Sequence, residues 1–427
     1  MSLLYKDLYT NRMMKNIDSF AIINPKIDTK KLVHRWSIRV DPIYLDHNAT
    51  TPVDPKVLTA MEPFMTTQFG NASSIHTFGR QARNAIEVAR EQVAALIGAS
   101  RSSEIVFTSG ATESNNQAIK GTIAHHQQKS VATRLHLVAC VTEHHAVLHP
   151  CKYLERRGVA VTYLPVDRYG RISLEHLKEA IREKTVLVSI MYVNNEIGTI
   201  HPIKEICQLA KLEGVPVHTD AVQAAGKIPI DVDLLGVDLL SLSAHKFNGP
   251  KGVGALYIQR RLRLSSLLHG GEHERKRRAG TENVAAIVGM GKAAEIALRE
   301  LDHKAQHLTN LVQRLRTGIL TNLDNIVESS PSAGQELVPG TLSLSFTDVG
   351  AEALILRLDM EGICVSSGSA CASGSLEPSH VLAQLGISPQ LAQSTIRFSV
   401  GSSNTEADID TTIEKITKIV KQIRSLP

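Results

Sequence analysis

The chain has 427 residues, of which 43% are hydrophobic and 21% charged, and this balance excludes a disordered polypeptide. Its formal charge of +5 resides in the first 40 residues, eight Lys/Arg against three Asp, so the balanced remainder excludes a basic nucleic-acid-binding body. No apolar run reaches the ~18 residues that span a bilayer, so no membrane segment is expected, and five Cys without a secretory apolar region point to a reducing, cytoplasmic compartment.

Residues 1–40 show no sustained periodicity and hold the only Trp, Trp36. They read as a poorly ordered arm. A transit peptide is the other reading, but Ser/Arg enrichment and an amphipathic stripe are missing. Phe78, Ala82, Ala85, Ile86, Ala89, Val93, Leu96 and Ile97 then recur at helical spacing and predict a buried helix face. Short Val/Ile/Leu-rich runs follow at 104–108, 136–141, 159–164, 185–193, 215–219, 239–243 and 254–258, with helical stretches between most of them. Continuous apolar strands alternating with helices predict an α/β fold with a mostly parallel sheet covered on both faces. A helix is expected over 284–301. Beyond about 305 the pattern changes to strands at 342–346, 363–366 and 395–400 interleaved with helices, the last carrying Ile409, Ile413, Ile416, Ile419, Val420 and Ile423 on one stripe. The expected organisation is an arm at 1–40, a large mostly parallel-sheet domain at 41–304 and a smaller α+β C-terminal domain at 305–427.

Open parallel sheets bind ligands beyond the carboxyl ends of their strands. The first end reads Thr108-Ser109-Gly110-Ala111-Thr112-Glu113-Ser114-Asn115 before a helix, small residues that let backbone N–H groups and a hydroxyl close on a phosphate. An ordinary capping box, with Thr112 at the cap and Asn115 three residues on, is the plainer reading. The second end supplies Glu143 and His144, and the third supplies Asn194, Asn195 and Glu196. The fourth places Asp220 after an apolar strand, where a carboxylate is costly to bury unless something such as a protonated pyridine nitrogen pairs with it. The fifth places Lys246 beside Ser243 and His245, and a lysine in a pocket with a lowered pKa makes a Schiff-base amine. Any one motif is weak. A phosphate cradle, a polar ring site, an Asp and a Lys at consecutive strand ends are together what pyridoxal 5'-phosphate requires. No metal site is expected.

Cys371 stands in a run of small residues, Ser366 to Ser375, that has little to bury and so reads as a loop presenting an exposed thiol. A linker with an incidental Cys is the alternative. Cys140, Cys207 and Cys364 read as structural, and Cys151 as a possible helix cap. Arg397 sits mid-strand and needs an anion, which a bidentate substrate carboxylate would supply.

The stretches YLDHNATTP (44–52), FGNASSIHTFG (69–79), SGATESNN (109–116), TEHHAVL (142–148), VNNEIGT (193–199), HTDAVQAAGKIPID (218–231), SAHKFNGPKGVGALY (243–257), RRAGTENV (277–284), SSGSACASGSLEPSHVL (366–382) and IRFSVG (396–401) resemble cysteine desulfurases of the NifS/IscS type. These belong to the class-V aminotransferase family of fold-type I pyridoxal phosphate enzymes. The resemblance runs from about residue 43 to the end. It implies that Lys246 is the Schiff-base lysine, that Asp220 faces the pyridine nitrogen and Gln223 the ring hydroxyl, and that Ala111, Thr112, Ser243 and His245 hold the phosphate, with Thr281 coming from the partner subunit. It further implies that His144 stacks on the ring and acts as acid and base, that Asn195 and Arg397 bind the substrate carboxylate, and that Cys371 forms a persulfide. The implied activity turns L-cysteine into L-alanine in a homodimer, passing sulfur to acceptors such as iron–sulfur scaffold proteins. A selenocysteine lyase or another pyridoxal phosphate lyase on the same fold is the alternative, and an idle docking scaffold a more distant one. The chain departs from the family at Ser402-Ser403-Asn404-Thr405, where an Arg and paired Thr are usual, and in its N-terminal arm.

Overall fold

The computed structural model describes residues 42–129, 134–331, 336–368 and 379–425. The expected arm at 1–40 and Cys371 itself lie outside the described residues. The described residues from Ile43 onward form one compact unit.

A short strand, β1 (Ile43–Tyr44), opens this unit. Seven strands then build the main sheet: β2 (Ile105–Thr108), β3 (His136–Cys140), β4 (Ala160–Leu164), β5 (Thr185–Ser189), β6 (Val217–Asp220), β7 (Leu239–Ser243) and β8 (Gly254–Ile258). Their spatial order is β2-β8-β7-β6-β5-β3-β4. Only β8 runs antiparallel to its neighbours, and the ladders from β7 to β4 are parallel. The strands β2, β3, β5, β6, β7 and β8 are buried at every position, as runs covered on both faces should be. The edge strand β4, with one neighbour, is half-buried over most of its length. The parallel strands point their carboxyl ends the same way, and β3, with β4 on one side and β5 on the other, is where the strand order reverses.

Polar side chains inside this sheet are satisfied across it. His218 on β6 bridges Ser189 Oγ on β5 at 2.8 Å and Ser241 Oγ on β7 at 3.0 Å. Burial holds its ring near a pKa of about 3, so it is neutral.

The helix Thr77–Leu96 buries Ala82, Ile86, Ala89, Val93 and Leu96 and packs on the helix Val284–Arg299. Gly291 makes that approach close: a Cβ there would lie 2.5 Å from Ala89 Cα. Phe78 does not join the buried face expected of it. It sits in the first turn, is 47% exposed, and its ring lies 5.5 Å from that of Phe69. Arg90, on the same helix, is 3% exposed and forks onto Glu274 at 2.7 and 2.9 Å. The chain around that carboxylate holds three successive left-handed residues, Glu274, Arg275 and Lys276, so the ion pair fixes a strained turn.

The remaining strands are β9 (Ile326–Glu328), β10 (Thr341–Phe346), β11 (Ile363–Cys364) and β12 (Thr395–Ser399). An antiparallel sheet of order β12-β10-β9 carries a second core with Leu315, Leu344, Phe346, Leu354 and Phe398, none of them exposed. The helices Leu301–Asn322, Ala351–Met360 and Glu406–Arg424 cover it. The last buries Ile409, Ile416, Ile419 and Val420, while Ile413 and Ile423 of the expected stripe are only partly buried. The departure at Ser402–Thr405 has a local reason. Thr405 caps this helix in a capping box with Asp408, and Asn404 Oδ1 accepts from Gly401 N at 2.8 Å.

The strand β1 pairs in parallel with β11. Leu45 joins the second core, and the following residues run on to the strand ends of the main sheet: Thr51 N donates to His245 O at 2.9 Å.

Candidate active site

A cavity of about 550 Å³ opens beyond the carboxyl ends of the main sheet. Ala111, Thr112, His144, Asn195, Asp220, Gln223, Ser243, His245, Lys246 and Arg397 all line it. Those of the main sheet reach it because their strands stop there, and Arg397 reaches it from the middle of β12.

The helix Ala111–Lys129 starts directly beyond β2. Gly110 leads into it at φ +152°, and Gly254 lies so close that an added Cβ would sit 2.7 Å from Gly110 Cα. Small residues are therefore required on both sides of the turn. The first-turn N–H groups at Ala111 and Thr112 face a place where an anion is favoured. The capping-box reading does not hold. Glu113, not Asn115, reaches back, its Oε2 accepting from Ser109 N at 2.8 Å. Burial pushes the Glu113 carboxyl up, but bonds from Arg278 and Ser109 more than offset this and hold it ionised.

Asn115 turns the other way. Its Nδ2 donates to Asp220 Oδ2 at 2.7 Å, while Val222 N donates to Oδ1 at 3.0 Å. A carboxylate only accepts, so the amide orientation is settled by chemistry, and Asn115 Oδ1 is left buried without a partner. Both Asp220 oxygens are thus held at the wall of the cavity.

His144 caps the helix His145–Glu155, its Nδ1 accepting from Ala146 N at 3.0 Å. The neutral ring then carries its proton on Nε2, and an acid–base step there costs the capping bond. Burial lowers its pKa, Asp220 opposes that, and Lys246 adds to it. Burial and the neighbouring lysines bring His245 down to about 4, so it is neutral; its Nδ1 lies 3.1 Å from Thr50 Oγ1.

Lys246 Nζ donates to the main-chain oxygens of Asn48 at 2.5 Å and Ala49 at 2.8 Å. Gln223 Nε2 donates to that same Asn48 oxygen at 3.0 Å. Arg397, 2% exposed, donates from Nη2 to Asp46 Oδ1 at 2.8 Å and from Nη1 to Asn195 O at 3.0 Å, and its buried Nε has no partner. The anion that a mid-strand Arg needs is thus supplied in part by the chain itself.

One expected residue, Thr281, is not in the cavity. It lines a separate recess behind the phosphate turn, with Ser109 and Arg278. Cys371 lies outside the described residues, but the flanks of its segment are in place. Ser379 Oγ hydrogen-bonds the buried Glu196 carboxylate, and a Cβ on Gly368 would press on that same carboxylate. Burial pushes Glu196 up to about 7. Cys140, Cys151 and Cys207 are buried free thiols; Cys151 lies within its helix and does not cap it. Burial raises all three well above an ordinary thiol, leaving none of them a nucleophile at neutral pH.

Sequence reasoning assigned no role to Asn48 or Lys227 and read Asn115 only as part of a capping box. Asn115 carries a signal in retrospect, one helical turn beyond Ala111 and on the inner face. Lys227 is four residues from Gln223, its Nζ 3.0 Å from Gln223 Oε1.

The donor set fits pyridoxal phosphate. Asp220 suits a protonated ring nitrogen, the turn at Gly110 with Ser243 and His245 suits the phosphate, and the Lys246 amine suits the aldehyde. Fold and site together are those of a fold-type I enzyme that depends on this coenzyme. The family model for class-V aminotransferases matches residues 43–412. A protein named cysteine desulfurase IscS from Dictyoglomus turgidum is 49% identical over 90% of this chain and 96% of its own length. A solved structure described as a NifS-like protein superposes with a TM-score of 0.83 at 40% identity, covering 90% of this chain and all of the other. A second, described as SspA in complex with cysteine, gives a TM-score of 0.74 at 38% identity over 85% of this chain and 100% of its own. The chain belongs to the class-V aminotransferase family and, within it, to the NifS/IscS-type cysteine desulfurases.

Proposed function

We propose that this protein converts L-cysteine to L-alanine, holds the sulfur as a persulfide on Cys371 and passes it to acceptors such as iron–sulfur cluster assembly proteins. The observation that carries this reading is the placing of Lys246, Asp220 and Arg397 around one cavity, in a chain whose relatives of about half identical sequence are named cysteine desulfurases.

Bound pyridoxal phosphate supplies an electron-withdrawing ring that loosens the bonds at the α-carbon of an amino acid joined to it. Asp220, fixed by Asn115 and Val222, would hold the proton on the ring nitrogen. Gln223 would meet the ring hydroxyl and Thr112, Ser243 and His245 the phosphate. The Lys246 amine takes and returns the proton at the substrate α-carbon. Arg397 and Asn195 orient the substrate carboxylate, with the Arg397 Nε donor unused by the chain itself. His144, which lines the same cavity, would stack on the ring and offer its Nε2–H. The Cys371 thiolate attacks the substrate sulfur. An S–S bond forms, the Cβ–S bond breaks, and its electron pair stays on Cβ, which takes a proton to give L-alanine. An unperturbed thiol of pKa about 8.5 is only a few per cent ionised at neutral pH, so the cavity has to favour the thiolate.

A homodimer is supported by two features of the single chain. Thr281 stands outside its own cavity, and the stretch from 65 to 78 exposes Met65, Phe69, Ile75 and Phe78, an apolar patch suited to a second copy. The four described cysteines are free thiols, which supports a reducing compartment, the cytoplasm. Among the described residues no helix is long and apolar enough to cross a membrane.

The test is incubation with L-cysteine and mapping of the added sulfur atom by mass spectrometry. It is expected on Cys371, with alanine formed in equal amount. Cys371→Ala should keep the visible absorption of the bound coenzyme and release no sulfide. Full sulfide release by that variant refutes the nucleophile, and turnover of L-selenocysteine alone refutes the substrate.

A further inference from the structure

Lys227 is a buried lysine that the reaction above does not use. It is 5% exposed. Its Nζ donates to Asn48 Oδ1 at 2.6 Å and to Gln223 Oε1 at 3.0 Å. No ion pair to it exists among the described residues. The charged groups facing it are Lys246, Lys304 and Arg397, all cations, and burial together with them brings its pKa well below the ordinary 10.5. A buried amine in such company contributes nothing through charge pairing. Its place has to be explained by its N–H groups.

Those groups meet the oxygen ends of two amides whose N–H₂ ends are held by other acceptors. Asn48 Nδ2 donates to Asn195 O at 3.2 Å and Thr341 Oγ1 at 3.0 Å, which leaves Oδ1 for Lys227. Gln223 has its oxygen on Lys227 and its Nε2 on the Asn48 main-chain oxygen. Each contact removes the ordinary freedom of an amide to flip. The Asn48 main-chain oxygen is shared with Lys246 Nζ, so the lysine that carries the coenzyme and the glutamine that lines its pocket hang on one residue.

We infer that Lys227 is a positioning residue of the coenzyme site: its amine locks Gln223 so that the amide N–H₂, and not the oxygen, faces the cavity, where it recognises an acceptor oxygen such as the ring hydroxylate of pyridoxal phosphate. The inference rests on the coenzyme site and not on the sulfur chemistry, so a protein that released no sulfide would still show it.

The experiment is a double-mutant cycle on coenzyme affinity. The coenzyme-free protein is titrated with pyridoxal phosphate and followed by visible absorption, with circular dichroism melting as the check on folding. Lys227→Met and Gln223→Leu are each expected to weaken binding about tenfold, and the double variant by about the same tenfold and not a hundredfold, because the lysine acts through the glutamine. Full additivity, or an unchanged dissociation constant for Lys227→Met, overturns the proposal. Should Lys227→Met fail to fold, Gln223→Glu decides. It keeps an acceptor for Lys227 but replaces the N–H₂ donor with a carboxylate oxygen that repels an acceptor in the cavity, so it should bind no more tightly than Gln223→Leu. Parental affinity in Gln223→Glu refutes the inference.

Discussion

Replacing Asn115 by Leu separates the stability of the protein from its hold on the coenzyme. The substitution removes the 2.7 Å bond to Asp220 Oδ2 and leaves the carboxylate with Val222 N alone. A hydrogen bond to a charged group contributes about 1.5–3 kcal/mol. The same substitution also removes Asn115 Oδ1, which is buried with no partner, and an unsatisfied buried acceptor costs about 1–3 kcal/mol. In the folded, coenzyme-free protein these two terms oppose each other, and Leu fills much the same volume. The melting temperature should therefore change little. Binding is different, because a carboxylate free to turn no longer meets the ring nitrogen. A loss of about 1.5–3 kcal/mol corresponds to a ~10- to 150-fold weaker dissociation constant. The assay is titration of the coenzyme-free variant with pyridoxal phosphate beside a denaturation curve. A dissociation constant within about twofold of the parent refutes the assignment. So does a loss of affinity that merely tracks a loss of fold.

Arg397→Lys keeps a cation beside Asp46 but loses the planar fork, so KM for L-cysteine should rise about 10- to 100-fold with a smaller change in kcat; an unchanged KM in steady-state kinetics excludes Arg397 from carboxylate binding. His201 is fully buried with neither ring nitrogen partnered, and burial brings it to about 4. Its folded pKa lies below the unfolded value of about 6.5, so between those values the unfolded chain holds the extra proton and stability falls as the pH falls. The slope is up to about 1.4 kcal/mol per pH unit. Glu196, raised to about 7, runs the opposite way above its unfolded value, so the measurement that isolates His201 is a difference. Urea denaturation of His201→Gln between pH 6.5 and 4.5 should show a pH slope flatter than the parent by about that amount. Parallel slopes would show that His201 takes its proton in the folded state.

Strands whose ends are marked by a change of chemistry were legible to the residue. Leu239–Ser243 and Gly254–Ile258 stop where the sequence predicts. The run from Thr185 to Val193 was read too long. Its strand ends at Ser189, because the chain turns at Asn194, whose Oδ1 accepts from the N–H groups of Glu196 and Ile197. Past Ser189 the chain still bonds to β6, Ile190 N donating to His218 O at 3.1 Å and Tyr192 N to Asp220 O at 2.9 Å, so the run stays beside the sheet after the regular strand has ended, and periodicity does not separate the two cases. Phe78 shows the same limit in a helix, since its spacing is right for a buried face and its ring is still outside.

The order of short apolar runs and the residue types at their carboxyl ends were set by local chemistry: unbroken Val/Ile/Leu strands have to be covered on both sides, and parallel strands deliver their ends to one edge. That much placed a lysine, an aspartate and an anion-binding turn near one another before any coordinates. Which amide faces which neighbour was decided only by the fold. Asn115 meets Asp220 across 105 positions of sequence, and Lys227 meets Asn48 across 179. The energies that fix those pairs come from removing both partners from water, and burial of that kind exists only once distant segments have packed.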